Sequence, residues 1–150
     1  MIPSRRSNRT SKLEGMVVIP SELQAARSIE RALLGEIEQL GYSQACAFAI
    51  RLALEEALNN AIKHGNTLDS AKQVHVEYDL NDRRAEFIIS DEGKGFNPAD
   101  VPDPTADENL EKPSGRGIML MRIFMDEVEY NSRCNQVRML KRRSFKSYST

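Results

Sequence analysis

Glu55 and Glu56 each stand four residues before an asparagine, within the run Glu55-Glu56-Ala57-Leu58-Asn59-Asn60-Ala61-Ile62-Lys63-His64-Gly65-Asn66. On a helix, residues four apart share one face, roughly 6 Å apart along the axis. Either pair therefore sets a carboxylate beside an amide oxygen. Those groups suit a hard cation, or proton transfer on a polar ligand, better than they suit an apolar core. His64 follows one turn later and, taken alone, reads as a cap for the last carbonyls of the helix. Spacing does not choose between the Glu55/Asn59 and Glu56/Asn60 registers.

Two glycine clusters add to this. Asp91-Glu92-Gly93-Lys94-Gly95 closes an apolar run. Its glycines allow close backbone approach, and its aspartate can accept a hydrogen bond from a ligand amine; a plain two-glycine turn explains it equally well. Ser114-Gly115-Arg116-Gly117 opens a second apolar run. Free amides at a helix start make a phosphate seat there, with a simple helix-opening turn as the alternative. No Walker A Lys-Ser/Thr is present, no GxGxxG follows a strand, and no nucleophile elbow serves a Ser/His/Asp hydrolase. Cys46 and Cys134 lack metal-ligand spacing, so zinc is not expected.

These residues need elements to hold them. Met16-Val17-Val18-Ile19 reads as an opening strand stopped by Pro20, and Ser21-Glu22-Leu23-Gln24 as a capping box for a first helix that ends at Gly41. Ser43 caps a second helix running to about His64. Its core stripe is Ile50, Leu54, Ala57, Leu58 and Ala61. A flanking stripe of Ala49, Ala53, Glu56, Asn60 and His64 is small, then polar, as the wall of a cavity would be. Alternation over Val74–Leu80 and Ala85–Ile89 around Asn81-Asp82 predicts an antiparallel hairpin. From Asn97 to Ser114 periodicity is lost among prolines and acids, which reads as a lid. A third helix, Ile118 to Met125, is apolar nearly all round and so expected to be buried. Residues 126–130 and 137–140 form a closing hairpin. The expected fold is an α+β two-layer sandwich, with helices on one face of a mixed, mostly antiparallel sheet.

Composition bounds the rest. A chain of 150 residues, 40% hydrophobic, supports one domain with a full core, and a net charge of −1 gives no case for nucleic acid. No apolar run is long enough to span a membrane, and the opening residues lack a signal-peptide core. A reduced, cytoplasmic protein is expected. Residues 1–14 read as a disordered basic arm carrying Arg5, Arg6, Arg9 and Lys12. Residues 15–142 read as the domain and residues 143–150 as a basic tail; both termini are taken as solubilising.

Taken in order, the acid-plus-amide helix, the DxGxG turn, the lid and the Gly-x-Gly helix start resemble the GHKL ATPase superfamily, which includes gyrase and the histidine kinases. More closely, residues 15–142 resemble the anti-sigma factor serine kinases. Glu56 to Gly65 is similar to the family's N-box, Asp91 to Gly95 to its first glycine box, and Gly115-Arg116-Gly117-Ile118 to its second. Phe124-Met125-Asp126-Glu127-Val128 is also typical of that kinase branch. The resemblance selects Glu56/Asn60/His64 over Glu55/Asn59. It implies a Bergerat-type ATP-binding fold with ATP and Mg²⁺ as cofactors. It also implies Asn60 as the metal ligand, Glu56 as general base on a protein serine, and Asp91 as acceptor for the adenine amino group. Gly93 and Gly95 would meet base and ribose. Ser114, Gly115, Arg116 and Gly117, with the lid, would hold phosphates, and His64 completes the box. The implied partners are an anti-anti-sigma protein of the STAS type as substrate, a sigma factor, and a second copy in a homodimer, with no membrane and no nucleic acid. One departure is plain: where relatives carry a Gly-Thr that helps bind adenine, this chain reads Cys134-Asn135-Gln136-Val137. The rival implication is a non-catalytic ATP-binding switch.

Overall fold

The computed structural model describes residues 5–6, 12–93 and 115–143. Gly95, Ser114 and the expected lid over 97–114 lie outside them. In chain order the elements are β1 (Arg5–Arg6), β2 (Lys12–Pro20), α1 (Leu23–Gln39), α2 (Gln44–Asn59), a π-helical turn (Asn60–Gly65), β3 (Gln73–Asn81), β4 (Arg84–Ser90), α3 (Gly115–Phe124), β5 (Glu127–Tyr130) and β6 (Gln136–Arg142).

The strands pair in the order β1-β2-β3-β4-β6-β5. Every ladder among the described residues is antiparallel, which narrows the expected mixed sheet. Period-two alternation fixes which face is buried. Val74, Val76, Tyr78 and Leu80 of β3 point into the core with Ala85, Phe87 and Ile89 of β4 and Val137 and Met139 of β6. Against this face pack Ala26, Ile29, Leu33 and Ile37 of α1 and Ile50, Leu54, Ala57 and Leu58 of α2. The α+β two-layer sandwich is thus observed, with one core between sheet and helices.

Both helix ends of α1 differ in how well sequence announced them. At its C-terminus Gly41 takes φ +84, its N–H bonds Glu38 O and the Tyr42 N–H bonds Ile37 O, a Schellman closure. At its N-terminus the expected capping box does not form. Glu22 is the N-cap and makes no side-chain cap bond, while the Ser21 hydroxyl donates to Lys72 O at 3.0 Å. For α2 the expected cap holds: Ser43 Oγ accepts from the Cys46 N–H at 3.1 Å.

Three further expectations are corrected. The first strand opens at Lys12 rather than Met16, because Leu13 is buried against the core, so residues 12–14 are strand rather than arm. Arg143, placed in the tail, docks back: its N–H donates to Arg83 O and its Nη1 to Leu40 O, and the guanidinium stacks on Tyr42. The third helix is not buried all round. Ile118 and Met121 face the core, whereas Met119 and Ile123 are exposed, since α3 lies at the rim of the helical layer.

Candidate functional site

The second helix does not stay α-helical to His64. At Asn60 it widens into the π turn, where the Asn66 N–H reaches back five residues to Ala61 O at 2.8 Å. Such turns insert an extra residue and are frequent at functional sites. Here the turn carries Asn60 at one end and Gly65 at the other, and each end meets a different wall.

Glu56, one turn before it, is half-buried and points its carboxylate at the first turn of α3. A methyl group on Gly117 would collide with Glu56 Oε2, so this glycine gives the carboxylate its room. Buried Ala49 and Ala53 form the small part of the same stripe on α2, which packs against α3. Burial pushes the Glu56 carboxyl above the ordinary carboxylate range and Glu55 adds to this, while Lys63 and His64 pull it back. Glu55 itself is exposed and lies toward Glu30 of α1, whose carboxyl it helps to raise after burial. The two acidic registers thus face different neighbours.

Asn60 Nδ2 and His64 Nδ1 are buried without a well-formed hydrogen bond. The Asn60 amide abuts the hydroxyl of Tyr130 at the end of β5. Burial drives that hydroxyl's ionisation upward; Arg122 and the Asn60 amide temper the rise.

The other wall is the turn after β4. Asp91 Oδ1 accepts from the Gly93 N–H at 2.7 Å, and the carboxylate fills the space where Gly65 would carry a Cβ. Gly93 in turn packs against the Gly65 carbonyl. Burial raises the Asp91 carboxyl to about 6, against the lowering effects of the Gly93 N–H and Lys72. On the far side, the Asp91 N–H donates to Asn135 O at 2.9 Å, and Asn135 Nδ2 reaches Gly93 O at 3.4 Å.

The structure therefore brings together Glu56, Asn60, His64 and Gly117 at one wall, and Asp91 and Gly93 with Gly65 at the other. Gly115 and Arg116 lie in the first turn of α3. A half-buried carboxylate facing a glycine-opened helix, with an aspartate turn sealed onto the same π turn, is the arrangement to compare with known proteins. The Histidine kinase-like ATPase domain family matches residues 19–141. The chain belongs to that family.

Relatives sharpen the comparison. The chain is 30% identical over 117 residues to the serine-protein kinase RsbW of Bacillus licheniformis, covering 73% of this chain and 72% of that one. It is 28% identical over 129 residues to the serine/threonine-protein kinase BtrW of Bordetella bronchiseptica, covering 85% and 88%. To the anti-sigma F factor of Shouchella clausii it is 39% identical over 83 residues, covering 53% and 56%. In three dimensions it is similar to the crystal structure of the RsbU and RsbW domains of Rv1364c from Mycobacterium tuberculosis. The TM-score is 0.61 and the identity 15%, covering 91% of this chain and 34% of that one, a likeness of fold.

Within a histidine kinase-like ATPase domain, the residues present fit a nucleotide with a hard cation. Asn60 offers an amide whose oxygen and nitrogen can exchange places, and its buried Nδ2 makes no well-formed hydrogen bond. Among the described residues no group of three or more His, Cys, Asp or Glu could hold a metal by itself. An ion held by one protein oxygen, phosphates and water fits this better than a protein cage does.

Three residues at the site carry no role in the sequence reading: Asn66, Tyr130 and Asn135. Asn66 ends the very run that drew attention, but an Asn after a Gly reads as an ordinary helix stop. Tyr130 and Asn135 arrive from the last hairpin, which the β4–β6 ladder brings to the site; the resemblance points to the stretch around Asn135 without giving that residue a role.

Proposed function

We infer that this chain is an ATP-dependent protein serine/threonine kinase acting as an anti-sigma factor. It phosphorylates a serine of an anti-anti-sigma antagonist of the STAS type and, in the alternate complex, holds a sigma factor; it works as a homodimer in the cytoplasm. Kinship with RsbW, BtrW and anti-sigma F factor supports the class. The observation that carries the reading is the Glu56 carboxylate, half-buried and raised, set against the glycine turn that opens α3. No helix among the described residues is long and apolar enough to cross a membrane.

In this reading Glu56 takes the proton from the substrate serine hydroxyl. The serine oxygen forms its bond to the γ-phosphorus as the bond to the bridging oxygen breaks, and ADP leaves. A raised carboxyl is a stronger base than a solvated one, and Lys63 and His64 oppose part of that rise. Bound Mg²⁺ supplies charge neutralisation on the phosphates. Asn60 would hold the ion through its amide, against which the Tyr130 hydroxyl lies. The amides at Gly115–Gly117 seat phosphate oxygens at the positive end of α3. Asp91 accepts the adenine amino group, with Gly93 giving close approach.

Glu56→Gln tests this. Mg·ATP affinity by calorimetry should stay within about threefold, while phosphate transfer to the antagonist falls at least ~100-fold. Glu55→Ala should spare transfer. If Glu55→Ala abolishes transfer and Glu56→Ala does not, the register is wrong. If the wild type labels no antagonist, the kinase reading fails and the domain is an ATP-binding switch.

A further inference from the structure

Asn66 is fully buried and uses its whole side-chain amide. Nδ2 donates to Ser21 Oγ at 2.7 Å and to Gln73 O at 2.9 Å. Oδ1 accepts from the Glu92 N–H at 2.8 Å. The assignment is chemically unique. Reversing the amide would set its oxygen against the Gln73 carbonyl and its nitrogen against the Glu92 N–H. Ser21 Oγ has already given its proton to Lys72 O, so it can only accept.

One side chain thus joins the β2–α1 corner, the start of β3, the turn after β4 and the end of the π turn. The backbone after it is held in the left-handed region at two consecutive non-glycine residues, Thr67 at φ 51 and Leu68 at φ 60. Such a pair persists only where the surroundings dictate it. The Thr67 hydroxyl and the Asp69 N–H both donate to Asn66 O. Meanwhile Asp91 has no slack: Gly65 lies against its carboxylate, and Gly93 against the Gly65 carbonyl.

We propose that Asn66 is a positioning residue for base recognition: by clamping the Glu92 N–H to the end of the π turn, it sets the height of the Asp91 carboxylate above Gly65. The proposal rests on the reading that Asp91 accepts the adenine amino group. Losing the clamp lets the turn lift, and the carboxylate loses its aim at the amino group while the phosphate wall around Glu56 and Gly117 is untouched. Base selectivity should therefore suffer before phosphate binding does.

Calorimetry on the full chain with Mg²⁺ compares ADP with inosine diphosphate, which carries a carbonyl where adenine carries the amino group. The wild type should prefer ADP by at least about tenfold, since the analogue leaves a buried acceptor unmatched. In Asn66→Ala the preference should shrink at least about fivefold through weaker ADP binding, with inosine diphosphate affinity changing less than about twofold. Ser21→Ala, which removes one Asn66 partner from a distance, should narrow the preference by about half as much on a logarithmic scale, and it decides the matter if Asn66→Ala does not fold. A variant that melts lower but keeps the wild-type preference makes Asn66 a purely structural residue and overturns the proposal. A wild type that does not distinguish the two nucleotides overturns the Asp91 reading instead, and the proposal with it.

Discussion

Gly117 and Asp91 show how single residues tune the site. The atoms nearest a methyl at Gly117 belong to the Glu56 side chain, whose carboxylate end can swing aside at little cost to folding. Gly117→Ala should therefore melt within a few degrees of the wild type yet, on the proposed reading of Glu56 as base, lose about 10²-fold in transfer rate, because a misaimed base forfeits most of its contribution. Undiminished transfer with a normal melt would detach Glu56 from the chemistry. Gly93→Ala is a different case, since its Cβ would strike the Gly65 carbonyl, a backbone atom that cannot step aside. On the proposed reading of Asp91 as the acceptor for the adenine amino group, it ties affinity to pH. Its carboxyl rises from 3.8 to about 6 in the fold. A raised folded-state value stabilises fully below the unfolded value, and that contribution is lost as pH rises through about 6. Recognition runs the other way, because only the carboxylate accepts at both oxygens. ADP affinity should fall as pH drops below about 6. Asp91→Asn should gain about 1 kcal/mol at pH 8 in urea unfolding, a figure well below the full conversion of the shift because the group stays partly solvated. Its ADP affinity should drop at least about tenfold. A variant that loses stability at pH 8 would show that the carboxylate is compensated by partners other than Gly93 and Lys72.

At the scale of elements, two serines each expected to cap a helix part company. Ser43 caps α2, and Ser43→Ala should cost about 1 kcal/mol in thermal or urea unfolding with transfer unchanged. A loss below about 0.3 kcal/mol would mean that another group takes up the Cys46 N–H. Ser21 sits three residues before Gln24, as a capping box requires, but its hydroxyl belongs to Lys72 O and Asn66. Local pattern could not distinguish them, because the competing partners lie 45 and 51 residues away. The same division runs through the fold. Period-two alternation disclosed β3 and β4, and the Gly41 stop disclosed the end of α1, because those signals are carried by neighbours in sequence. The π turn was not legible, since Asn60 to His64 read as continued α-helix, whereas the Asn66 N–H reaches back five residues to Ala61 O. Nor was the exposure of Met119 and Ile123, which depends on how far α3 lies toward the rim. For the site, Glu56, Asn60, Asp91 and Gly117 were named from spacing and resemblance. Asn66, Tyr130 and Asn135 were not, because what they do is done across the sheet.

Across the whole molecule, the two ends of the sandwich are finished differently. At the Arg84 end of β4 the protein closes on itself: the Tyr42 hydroxyl donates to Asn81 O, and Arg143 bonds both Leu40 O and Asp82 O. At the Ser90 end, the end of α2, the turn at Asp91, the start of α3 and the β5–β6 hairpin converge from distant parts of the chain. There Asn60 and His64 keep buried atoms without well-formed bonds. On the proposed reading, a nucleotide that bridges the walls completes this end, and binding energy then appears as stability of the whole. At a hundredfold excess over Kd, Mg·ADP should add about 2.7 kcal/mol to unfolding, which for a domain of this size raises Tm by roughly 5–10 °C. The gain should be unequal along the chain. Amide exchange should slow most at 60–66, 91–93 and 115–118, which belong to three separate walls, and little near Tyr42, Asn81 and Arg143, where the fold is already closed. Protection confined to one wall would mean that the ligand docks on a single element and does not complete the sandwich. Uniform slowing at both ends, by contrast, would show that the domain opens only as one unit and that the difference between its ends has no bearing on its stability.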